Sequence, residues 1–151
     1  MTSTTTANPL SQQGANNPFN PLPAVGDIVW CAFPEIERPG VPGPKARPAL
    51  VIAVAPAKHV VRICYGTTQR TDKLYPGEFV IEKSDARFAL SGLSYTTKFN
   101  VTRTVNVPFD DAWFKAAPGL TPMVPLPKLG TLHPSYCTAA SEAAKKRPRT
   151  T

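Results

Sequence analysis

Paired cysteines and clustered histidines are missing from this sequence. Its three cysteines, Cys31, Cys64 and Cys137, lie far apart with no CxxC pair, and its two histidines, His59 and His133, are equally isolated. An odd, scattered set of thiols argues against a disulfide framework. No metal-ligand spacing is present either, so neither a structural metal nor a cofactor is expected. Cys31 and Cys64 fall in strand-like segments and read as small core fillers.

Long apolar runs are missing too. The longest, Ala49 to Ala57, is interrupted by Pro56 and is far too short to span a bilayer, so no membrane helix is expected. Residues 1–22, MTSTTTANPLSQQGANNPFNPL, have no charge and no apolar core. They match neither a secretory signal nor an Arg-rich transit peptide, and a disordered tail is expected there. A reducing, cytoplasmic setting follows from these readings.

Acidic residues are scarce relative to basic ones: 10 Asp and Glu stand against 17 Lys and Arg, a net charge of +7 and a pI near 9.6. That excess favours a polyanionic partner, because Lys and Arg beside phosphates release condensed counterions. Part of it sits in a basic tail over 145–151, where Lys145, Lys146, Arg147 and Arg149 read as a solvated terminus.

The 151 residues suffice for one domain with a core. GDIVWCAF (26–33) reads as a strand buried on both faces. PEIERPGVPGPKA (34–46), with four prolines and two glycines, is a restrained loop. ARPALVIAVAP is the second strand, and Pro48 is tolerated because it stands near the strand start. HVVRICYG (59–66) is the third, with Val61, Ile63 and Tyr65 on one face. EFVIE is a short fourth. In TKFNVTRTVNVP an apolar row of Phe99, Val101, Val105 and Val107 alternates with polar residues, and Arg103 breaks the row. DDAWFKAA begins with Asp110, a good N-cap, and reads as one or two helical turns. HPSYCTAASEAAKK is the only longer helix expected. Short strands at regular spacing with little helix point to a mainly β fold, a small, partly open antiparallel barrel with a C-terminal helix over 23–144.

Three places could carry chemistry. Arg47, between the Pro/Gly loop and Pro48, is a pre-placed guanidinium suited to gripping a phosphate with two parallel hydrogen bonds; on local pattern alone it is equally a strand-capping arginine. GTTQ (66–69) offers two hydroxyls and an amide, or simply a turn. Lys98 and Asn100 fall on one exposed strand face, roughly 7 Å apart by strand rise.

Together these blocks resemble a known family. GDIVWCAFP, a Pro/Gly-rich loop, RPALVI, GTTQ, PGEFVI, SGL and TKFNVTRTVNVP follow one another, from about Gly26 to Phe114, as in the PemK/MazF family of bacterial toxins from type II toxin-antitoxin systems. The resemblance is to the PemK-like branch, with its TKF motif and DxxWF stretch. It implies an SH3-like barrel, a homodimer, and metal-independent cleavage of single-stranded RNA at short sequence motifs. It also implies a cognate antitoxin whose acidic segment covers the RNA groove. Carried over by motif, Arg47 stabilises the phosphate and Thr67 contacts it. Lys98 and Asn100 stand where relatives have an Arg-x-Asp pattern. Asn100 cannot accept a proton as a carboxylate does, and Lys98 lacks the bidentate fork. The histidine that some relatives carry in the first loop has no counterpart between Pro34 and Ala46. The general base is left unidentified: Glu35 and Glu37 are candidates, as acidic loop residues are in some relatives, Glu78 is a weaker one, and Lys45, Thr68, Gln69, Arg70, Lys73 and Glu78 are expected along the RNA. Two rival readings are an RNA-binding module without catalysis and a toxin directed at DNA gyrase.

Overall fold

The apolar runs pair into one antiparallel sheet. The computed structural model describes residues 16–117 and 126–145. Within them lie β1 (Asp27–Cys31), β2 (Arg47–Ala55), β3 (Val60–Thr67), β4 (Glu78–Ile81), β5 (Thr97–Pro108), β6 (Lys128–Thr131) and α1 (Cys137–Lys145). The order across the sheet is β4-β5-β3-β2-β1-β6. Register shifts at Ile28/Val29, Val51/Ala53 and Cys64/Tyr65 bend the strands, because a bulge adds local twist. The sheet curls into a half-barrel, the mainly β architecture expected from the strand pattern.

Both faces of the central strands are buried, as expected for β1. On one side Ile28, Leu50 and Cys64 pack with Phe79, Phe99 and Tyr136, and α1 contributes Ala143. On the other, Val29, Val51 and Ile63 pack with Phe33, Phe109 and Phe114. Cys31 and Cys64 are fully buried and serve as core fillers. Burial pushes both thiols up, that of Cys64 to about 12, so neither is a thiolate at neutral pH. Iodoacetamide should therefore label the folded protein at the exposed Cys137 alone; mass-spectrometric labelling of Cys64 without denaturant would contradict this placement.

The expectations for the N-terminal segment and for DDAWFKAA change in the structure. Residues 16–22 lie on the barrel instead of in a disordered tail: the Phe19 N–H donates to the Phe109 carbonyl at 3.0 Å, and Phe19 and Leu22 pack against the second core. Two apolar side chains within this uncharged segment suffice to dock it. Residues 1–15 and 146–151, which hold the rest of that tail and all but Lys145 of the basic tail, lie outside the described residues. DDAWFKAA makes a turn rather than a helix. Asp110 caps it, its Oδ1 accepting from Ala112 N–H at 3.0 Å. The chain then pairs with β1, Ala32 N–H donating to Trp113 O and Lys115 N–H to Trp30 O, which takes up the groups that a helix would use.

The alternation expected along β5 is interrupted in the middle. Cys64 faces Thr104 while Tyr65 faces Asn100, so Val101, Thr102 and Arg103 have no partner in β3. An odd insertion exchanges the two faces. Phe99 thus enters the first core and Val107 the second. Lys98, expected on an exposed face, is only 4% exposed, because the curl folds the β3–β4 connection over it.

Candidate functional site

Strand register collects the chemistry on one face. Ala49 is opposite Tyr65, Tyr65 opposite Asn100, and Thr67 opposite Lys98; Arg47, two residues before Ala49, shares its face. Gly66 is required here: a Cβ would lie 2.6 Å from both the Phe99 ring and the Pro48 carbonyl oxygen. β3 can therefore approach β2 and β5 closely just where GTTQ begins.

Two recesses meet at Arg47 and Tyr65. One, of about 430 Å³, is walled by Lys45, Arg47, Thr67, Gln69, Arg70, Tyr75, Glu78 and Lys98. The other, of about 200 Å³, is bounded by Phe33, Glu35, Glu37, Lys45, Arg47, Tyr65 and Arg103. Thr67 Oγ1 accepts from the Gln69 N–H at 3.0 Å, the turn bond expected of GTTQ, and its own proton remains free to donate. The Arg103 guanidinium lies over the Tyr65 ring at 4.0 Å, with Arg47 at 5.9 Å. Phe33 meets the same ring edge-on at 5.4 Å.

Most sequence-predicted site residues are brought together, but not in equal roles. Lys98 Nζ donates to Glu78 Oε1 at 2.9 Å and to the Lys73 carbonyl at 2.9 Å. Glu78 Oε1 also accepts from Tyr75 N–H at 2.8 Å. Lys98 and one carboxylate oxygen of Glu78 are therefore held in place by each other and by the β3–β4 connection. Lys73 supports Lys98 through its carbonyl, while its ammonium lies over Tyr75 at 5.6 Å. Thr68 borders a separate apolar cleft beside Trp30 and Tyr95. Asn100 stands apart: its Oδ1 accepts from the N–H and hydroxyl of Thr102, at 3.0 and 2.6 Å, and it lines neither recess. Among the described residues, no three His, Cys, Asp or Glu side chains gather as a metal set. No described helix is long and apolar enough to cross a membrane.

Tyr65, Tyr75 and Arg103 were not singled out as site residues from the sequence. Arg103 did leave a signal, as the charge that interrupts the apolar row of β5. Only the bulge explains it, because bulged residues are re-aimed out of the strand's alternation.

A family model described as PemK-like, MazF-like toxin of type II toxin-antitoxin system matches residues 24–109. No curated protein matches the chain in sequence. Among solved structures, an endoribonuclease from a mycobacterial species superposes with a TM-score of 0.50 at 17% identity, covering 87% of this chain and 99% of that one. An endoribonuclease in complex with its cognate antitoxin, also mycobacterial, gives 0.50 at 18% identity, over 85% and 99%. At such identities the likeness establishes the fold.

Proposed function

The chain belongs to the PemK-like, MazF-like toxin family of type II toxin-antitoxin systems, and on that premise we propose that it is a toxin endoribonuclease cleaving single-stranded RNA. The observation that carries this reading is Arg47 at the junction of two recesses, one lined by Thr67 and the other by Glu35 and Glu37. These are the groups that transesterification of RNA needs: a cation for the growing charge, a donor for the phosphate, and a base for the 2′-OH.

In this mechanism the phosphate sits against Arg47 and Thr67. Glu35 or Glu37 takes the proton of the 2′-OH, the 2′-oxygen bonds to phosphorus, and the bond to the 5′-oxygen breaks. The departing 5′-oxygen takes a proton from Arg47 or from water bound to it. The products are a 2′,3′-cyclic phosphate and a 5′-hydroxyl end. Glu78, whose Oε1 is held by Lys98 and the Tyr75 N–H, is the weaker choice of base in this reading. The amide at position 100 then counts little against catalysis, since Asn100 is spent on Thr102.

Lys45, Gln69 and Arg70 line the same groove and would follow the RNA backbone. An acidic antitoxin segment suits the same basic surface, and association of two copies, as the family resemblance implies, belongs to the proposal together with a cytoplasmic location. Incubating the protein with a long single-stranded RNA in EDTA should give fragments with cyclic phosphate and 5′-hydroxyl ends. Intact RNA under these conditions, or 3′-hydroxyl ends, would exclude this chemistry.

A further inference from the structure

We propose that the recess between Tyr65, Arg103, Glu35 and Glu37 is a nucleobase subsite selective for guanine, lying next to the scissile phosphate; this rests on the ribonuclease reading of the Arg47 groove.

Its floor is a cation–aromatic stack. Arg103 lies 4.0 Å from the Tyr65 ring centroid, and Phe33 closes the side. Flat π surfaces and guanidinium planes of this kind are what unpaired bases stack on. Arg103 reaches this position as one of the β5 residues left without a partner in β3. Without the bulge its side chain would follow the ordinary strand alternation.

The rim supplies the edge chemistry. Glu35 and Glu37 bring acceptors, Lys45 and Arg103 donors, and among the described residues none of these four makes an ion pair. Opposite charges placed together and left unpaired suit a ligand carrying both donors and acceptors. Guanine alone offers two adjacent donors, N1–H and the 2-amino group, which one carboxylate can accept together, while its O6 and N7 accept from Arg or Lys. Adenine and cytosine turn a ring-nitrogen lone pair toward the same carboxylate, and uracil offers one N–H between two carbonyls. The recess, at about 200 Å³, is on the scale of one base, and it shares Arg47 and Tyr65 with the catalytic groove or its junction. A base held there belongs to a nucleotide adjoining the phosphate.

The test uses the full chain and a short RNA whose cleavable position is 2′-deoxy, so that binding is read without chemistry. Anisotropy should show tighter binding when guanine occupies the position, with a roughly tenfold loss for inosine, which lacks the 2-amino group, and about 100-fold for adenine. Tyr65→Leu should erase the preference and Tyr65→Phe keep it; the Glu35→Gln/Glu37→Gln pair should remove the difference between guanine and inosine. Circular dichroism verifies that each variant folds. Equal binding of all four bases by the parent overturns the subsite, as does unchanged guanine preference in folded Tyr65→Leu. Guanine-selective binding with no cleavage of the all-ribose RNA leaves the subsite standing and removes the ribonuclease reading.

Discussion

Arg47→Ala should slow RNA cleavage by roughly 10²–10³-fold, the scale on which a single preorganised donor to a developing charge acts. Among the described residues Arg47 is the one side chain that borders both recesses and also the apolar cleft next to Thr67. Its conformation is restrained by Pro48 behind it and by the pairing of Arg47 with Cys31 at the start of β2. Stability should change little, since the guanidinium is half-buried at a strand end and makes no ion pair among the described residues. Arg47→Lys should fall between parent and Ala: it restores the charge but not the two-pronged grip on a phosphate. Single-turnover cleavage of one RNA by the three proteins, with urea midpoints in parallel, decides the matter. Cleavage by Arg47→Ala at the parent rate would remove Arg47 from the mechanism.

Glu78→Ala should lower the unfolding free energy by about 3–5 kcal/mol, because it strands a buried ammonium. The side chains of Lys98 and Glu78 are 5% and 11% exposed and meet at 2.9 Å, so solvent screens them little. Once the carboxylate is gone, Lys98 keeps only the Lys73 carbonyl as a hydrogen-bond partner among the described residues. The matching variant, Glu78→Leu/Lys98→Met, should recover most of the loss, since replacing both ions with apolar groups of similar volume is often near neutral. This also separates two roles for Lys98. As one half of a structural pair, it matters through stability; as a phosphate ligand, it would leave Lys98→Met fully stable yet inactive. Urea unfolding of Glu78→Ala at the parent midpoint would show that the pair holds nothing together.

Much of the barrel was legible because its strands are bounded by strong punctuation. Gly26, Pro34 and Pro108 stand at or just beyond strand ends, and Pro48 one residue inside the start of β2, placements that follow from backbone rules needing no tertiary context. That Arg47, Thr67 and Lys45 would line one groove was legible through the blocks around them. The bond of Asn100 to Thr102 was not, because a polar side chain within two residues of another has no sequence mark of who bonds whom. Tyr65 read as one more apolar strand residue for the same reason: what distinguishes it is the arginine above it, which comes from another strand.

The sequence by itself determined the antiparallel strand succession, the buried thiols, the excess of positive charge and the placement of an arginine at a strand start. These follow from local rules, hydrophobic period and backbone restriction, that act within a few residues. Tertiary structure alone decided that Lys98 is buried against Glu78, that Asn100 bonds to Thr102, and that Arg103 lies on Tyr65. Each depends on the β5 bulge or on the curl of the sheet, and both are set by how strands distant in sequence match their twist, which no single strand encodes.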